Sequence, residues 1–152
     1  MKDQREGGFL ITKIHQITNR LFNQMLKDYG IEELNSGQGR ILFALWQKDD
    51  VSIRELSVKT QLSKSTLTTM LKRLETAGFL TRNSDDNDER ITKVKLSEKS
   101  KKLQEKYVEV SKKMTEVFYG TLTNEEIDDF EGFLRRILNN LIKANDPQEN
   151  SN

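Results

Sequence analysis

Between Ser63 and Ala77 the sequence gathers side chains able to recognise a polyanion: Ser63, Lys64, Ser65, Thr66, Thr68, Thr69, Lys72 and Arg73. Leu67, Met70, Leu71 and Leu74 lie among them at steps of three and four, so a helix here would turn one apolar stripe inward. Lys64, Ser65, Thr68, Thr69, Lys72 and Arg73 then fall on or near the outward side, with no carboxylate before Glu75. That mixture suits the major groove of DNA. Ser and Thr reach base edges or phosphates without bulk, while Lys and Arg supply charge and donors. An ordinary solvated face is the alternative, but such faces usually mix Glu with Lys.

A second group follows. Arg90 and Lys93, with Arg82 and Lys95 nearby, add cations, yet Asp85, Asp86, Asp88 and Glu89 beside them would repel phosphate. The conflict resolves if Asp88 folds back on Arg90 and holds its guanidinium in a fixed direction. The acidic run is not an EF-hand, because Arg90 and Leu96 stand where the loop needs Gly and Glu. Gly37-Gln38-Gly39 lacks the further glycine and preceding strand of a phosphate loop. With no cysteine and one histidine, His15, there is no thiol nucleophile, disulfide, thiolate zinc site or histidine-rich metal site. No enzyme activity, cofactor or metal site is expected.

These groups need a scaffold to position them. Ser52 and Glu55 have the spacing of a capping box and open a short helix ending near Thr60; Ser63 offers a second N-cap, and Gly78 a stop. Two helices joined by so short a turn predict a helix-turn-helix. Phe79–Arg82 and Ile91–Leu96 read as strands around the polar tip 83–90, which makes a hairpin wing. On the N-terminal side, Leu10, Ile14, Ile17, Leu21 and Met25 form one helical stripe before Gly30, and a second helix runs over about 37–47. On the C-terminal side, Ser97 caps a long helix, and Thr123 with Glu126 starts a last one carrying Phe130, Phe133, Ile137, Leu138 and Leu141. The predicted fold is mainly α, an α+β winged helix-turn-helix at 35–98. Flanking helices at 1–34 and 99–145 would form a dimerisation domain, and 146–152, with Pro147, a frayed tail. The flanking helices hold more apolar surface than a small winged domain needs. A second copy would bury it, and packing within one monomer is the alternative.

Composition and charge agree with this. The 152 residues are 32% charged, contain no apolar run long enough to span a membrane, and begin without the apolar core of a signal peptide. Together with the missing cysteines this fits a cytoplasmic protein. Net charge is +1, but residues 51–113 carry 15 Lys and Arg against 9 Asp and Glu, and 114–152 carry 3 against 8. A basic middle suggests one polyanion-facing surface.

The stretches Ile53-Arg54-Glu55-Leu56, Leu62-Ser63-Lys64-Ser65-Thr66-Leu67-Thr68 and Arg73-Leu74-Glu75-Thr76-Ala77-Gly78-Phe79-Leu80-Thr81-Arg82 resemble the MarR family of regulators. So do Asp88-Glu89-Arg90 and Val94-Lys95-Leu96-Ser97. The resemblance implies a bacterial or archaeal repressor, sometimes an activator, that binds a palindromic operator of double-stranded DNA as a homodimer. Ser63–Ala77 would be the recognition helix, and Arg90, oriented by Asp88, would enter the minor groove. Release by a small aromatic ligand is also implied, in a pocket that could draw on His15, Phe22 and Trp46, with Met25, Tyr107 and Met114 beside them, although such residues at helical spacing are more often plain core. Ser57 and Ser100 stand where the family usually has alanine and glycine. The rival reading is a winged-helix protein-interaction module without DNA binding, which predicts acids or apolar groups on the outward face.

Overall fold

The computed structural model describes residues 4–146, so the expectation for Pro147 and the rest of the tail lies outside the described residues. The elements run α1 (Gly7–Asp28), α2 (Ser36–Gln47), β1 (Val51–Ser52), α3 (Ile53–Thr60), α4 (Lys64–Thr76), β2 (Leu80–Ser84), β3 (Thr92–Leu96), α5 (Glu98–Tyr119) and α6 (Asn124–Ala144). This is the winged helix-turn-helix with flanking helices that the sequence predicts.

Local chemistry explains most boundaries. The Ser63 hydroxyl accepts from the Thr66 amide and opens α4. At the other end Gly78 takes φ +84, while the Gly78 and Phe79 amides return to the Glu75 and Leu74 carbonyls. That left-handed position is open to glycine at little cost. The turn between α3 and α4 is held by Ser57 Oγ donating to the Leu62 carbonyl at 2.9 Å, which an alanine would not do. Thr123 and Glu126 form the reciprocal capping box expected of them.

Two caps differ from expectation. Ser52 accepts from the Glu55 amide, but the Glu55 carboxylate pairs with Lys48 at 3.2 Å, so this box is one-sided. Ser97 donates its hydroxyl to the Gly78 carbonyl at 2.6 Å and lies 3.5 Å from the Ser100 amide; it ties the start of α5 to the end of α4 more than it caps. Ser100 is buried and donates to the Phe79 carbonyl at 2.7 Å. A structural element missing from the sequence reading is α2's own capping box, Asn35 with Gln38.

The sheet is antiparallel in the order β1-β3-β2, with Val51 opposite Val94 and Leu80 opposite Leu96. Strand β1 was not expected, because two residues carry no periodicity. Val51, Leu80, Val94 and Leu96 face the core beside Leu56, Leu67, Leu71 and Leu74. Tyr107 of α5 lies against the backbone of α2: a Cβ at Gly39 would stand 2.6 Å from its ring. Glycine at 39 is therefore a packing requirement.

The chain separates into two compact units, one up to Met114 and one from Thr115. In the first, α1 buries Phe22 and Leu26 but leaves Leu10, Ile14, Ile17 and Leu21 exposed. In the second, rings of Phe118, Tyr119 and Phe130 cluster, and Tyr119 donates to Glu131 at 2.6 Å. There α6 has no buried residue, and Phe133, Ile137, Leu138, Leu141 and Ile142 are exposed. Among the described residues, no helix is long and apolar enough to cross a membrane.

Candidate nucleic-acid interface

Helix α4 is seated by its apolar stripe. Leu67, Leu71 and Leu74 are fully buried and Met70 is partly so, where it packs against Gly37. Lys64, Ser65, Thr69, Lys72 and Arg73 are exposed, and Thr68 is half-buried. None of Lys64, Lys72 and Arg73 has a carboxylate within ion-pair distance among the described residues, nor does exposed Lys95 on β3. Unneutralised cations on a rigid helix are free to answer to phosphate. Thr69, Lys72, Arg73 and Thr76 line a shallow depression on this face.

The hydroxyls divide by role. Ser63 and Thr66 are bound to each other at 2.9 Å in the N-cap, so they shape the helix start. Thr68 and Thr69 donate to the Lys64 and Ser65 carbonyls at 2.8 and 3.0 Å. In that state they turn acceptor lone pairs and methyl groups outward.

In the wing, the Asp85 amide bonds to the Ile91 carbonyl and the Ile91 amide to the Asp88 carbonyl, which closes the tip. Asp88 grips Arg90 by two carboxylate oxygens: Oδ1 accepts from Arg90 Nε and Oδ2 from Nη2, both at 3.1 Å. The Arg90 amide adds a third bond to Oδ1. The guanidinium's side-chain bond, and then the amide's, hold the Asp88 carboxyl below its ordinary range. Arg90 nevertheless remains 90% exposed, so it is aimed without being covered. The fold-back read from the sequence is present.

Two other cations near the wing, Arg82 and Lys93, are engaged elsewhere. Arg82 is mostly buried and pairs with Glu75 at 3.2 Å, while its amide bonds the same carboxylate. This pair joins α4 to β2 and lowers the Glu75 pKa. Lys93 is half-buried and lies 3.6 Å from Asp50. It is the weaker of the wing cations for an external partner.

Of the residues considered for a ligand pocket, two come together and the third stands apart. Phe22 and Trp46 both pack on Tyr107, with ring centroids 5.6 and 5.1 Å away, and Trp46 donates to the Ser100 carbonyl. His15 is exposed on α1 and bonded to Asn19 at 3.1 Å. Burial of Tyr107 pushes its hydroxyl up to about 12, as expected of core. Among the described residues, no cluster of His, Cys, Asp and Glu could hold a metal ion.

Residues 34–92, which hold α4, β2 and the wing tip, match the model of the MarR family. The chain is 35% identical over 69 residues to the organic hydroperoxide resistance transcriptional regulator of Bacillus subtilis, covering 45% of this chain and 47% of that one. It is 36% identical over 74 residues to the HTH-type transcriptional regulator TtmR of Methylorubrum extorquens, covering 49% and 38%. The matches thus span less than half the length of these relatives. Among solved structures, a point mutant of MarR from E. coli in complex with operator DNA superposes with a TM-score of 0.78 at 26% identity, covering 86% of this chain and 92% of that one.

Proposed function

We propose that the chain is a member of the MarR family, whose model matches residues 34–92, and a transcriptional regulator, acting as a repressor, that binds a palindromic operator as a homodimer. The observation that carries this reading is the pairing of two kinds of cation. Lys64, Lys72 and Arg73 stand free on the outward face of α4, while Arg90 is aimed from the wing by Asp88. Free lysines suit phosphates, which offer charge but no sequence; a fixed guanidinium suits a narrow groove. The likeness to a protein solved on operator DNA supports it.

The dimer half rests on the exposed apolar faces of α1 and α6, which a second copy would cover. A palindrome follows, since a two-fold protein reads two equal half-sites about one helical turn apart. An effector would act by changing the separation or order of the two recognition helices.

The test is fluorescence anisotropy of the protein against DNA upstream of its own gene and a scrambled duplex, over a salt series. Tighter, salt-sensitive binding to the upstream duplex is expected. No binding to either duplex at low salt would overturn the reading.

A further inference from the structure

The hydroxyl side chains of α4 are not interchangeable. Ser65 Oγ stands 3.4 Å from Ser63 Oγ, and Thr66 is bound to Ser63 within the N-cap. Thr68 and Thr69 instead reach back one turn, donating to the Lys64 and Ser65 carbonyls. Such a bond uses the one proton a hydroxyl has to give. Each of these threonines is left with an oxygen that only accepts and with a methyl group. Thr69 is exposed and Thr68 half-buried, so the Thr69 methyl is the more available of the two. Thr76 makes the same bond to the Lys72 carbonyl, but in the last turn, about 10 Å further along the helix.

Placement sharpens the distinction. Lys64 and Lys72 lie one four-residue step to either side of Thr68, and Ser65 and Arg73 to either side of Thr69. From Lys64 to Lys72 the axis advances about 12 Å, close to the ~12 Å width of a major groove. Cations at both ends can therefore meet phosphates while the threonines stand over the bases between them. The cations supply affinity without sequence, and sequence is left to the uncharged middle.

We propose that Thr69, with Thr68 beside it, makes the middle of each half-site select thymine paired with adenine. This rests on the DNA-binding reading. The Thr69 methyl packs on the C5 methyl of thymine, and the threonine oxygens accept from the adenine amino group. Guanine turns two acceptors to the same groove, which an oxygen without a free proton repels. Cytosine offers an amino donor but no methyl. The thymine methyl is thus the feature that separates the right base pair from the wrong ones.

The experiment begins by selecting, from a random pool, the duplexes that the full chain binds. Thymines of the selected half-site are then changed one at a time to deoxyuridine, which removes only the C5 methyl, and affinity is read by fluorescence anisotropy. At one thymine per half-site the change should weaken wild-type binding about fourfold, which corresponds to ~0.8 kcal/mol for one methyl-sized group. Thr69→Ser should bind the thymine and uracil duplexes alike, since its hydroxyl remains and its methyl is gone. Thr69→Val, which keeps a methyl and loses the oxygen, should retain the difference. A half-site without thymine, a wild type indifferent to uracil at every position, or an undiminished difference in Thr69→Ser would each overturn the proposal and leave the DNA-binding reading intact. A wild type that binds no duplex at low salt would overturn both. The uracil comparison uses the unaltered chain, so it remains decisive if a variant does not fold.

Discussion

Helices α4 and α6 begin alike and end in opposite situations. Each opens on a hydroxyl N-cap, Ser63 or Thr123, and each is amphipathic. In α4 the apolar stripe is consumed: Leu67, Leu71 and Leu74 are at most 1% exposed. In α6 no residue is buried, and Phe133 and Leu141 are 59% and 62% exposed. A helix whose stripe is already covered has only its polar face left to offer, and in α4 that face carries Lys64, Lys72 and Arg73, which have no ion pair among the described residues. A helix whose stripe is bare needs an apolar partner. The same pattern of residues thus points one helix toward a polyanion and the other toward a second copy of the chain.

The contrast can be broken most severely at α6. Leu138→Glu with Leu141→Glu should convert the proposed dimer to a monomer, since burying unpaired carboxylates costs several kcal/mol each. Light scattering reads the mass directly, and an unchanged dimer would remove α6 from the interface. The self-sufficiency of the first unit is tested at Tyr107. Its hydroxyl titrates near 12 when folded and near 10 when unfolded, so the neutral form favours folding. The stabilisation is complete below pH 10 and is lost as pH rises toward 12, by about 2–3 kcal/mol. Urea unfolding across that range should show the decline, and Tyr107→Phe should flatten it.

On the polar side, Arg90→Ala should weaken operator binding by about 1–3 kcal/mol with the dimer intact. Asp88→Asn should weaken it less, because the guanidinium remains but loses its fixed direction. The Asp88 carboxyl titrates below its ordinary range, so the grip should persist through mildly acidic pH and loosen only as pH falls through that lowered value. The smallest effect is expected at Lys72. Lys72→Ala should weaken all duplexes alike and make the salt slope shallower by about one unit. A loss confined to one sequence would instead make Lys72 a base reader.

What was legible in the sequence was mostly local. The Asp88–Arg90 grip spans two residues, and Ser63, Thr123 and Gly78 act within one turn, so spacing alone reveals them. The apolar stripe of α4 was legible for the same reason. Distant choices were not. Glu55 has the spacing of a capping partner, yet Lys48 from the end of α2 captures its carboxylate. His15, Phe22 and Trp46 looked equivalent as aromatic groups, but only packing shows that Tyr107 takes two of them and leaves the third exposed. The basic middle of the chain read as one surface, whereas its lysines and arginines are spread over α4, the wing and α5, where Glu105 and Glu109 stand among them. The pairing of Glu33 with Lys99, 66 positions apart, has no trace in local pattern.

One measurement addresses both sides of the comparison together: sedimentation of the chain with a labelled duplex from upstream of its own gene. The account predicts a dimer in the absence of DNA and two chains on each duplex when it is present. A monomer that leaves the duplex unshifted at low salt would contradict it.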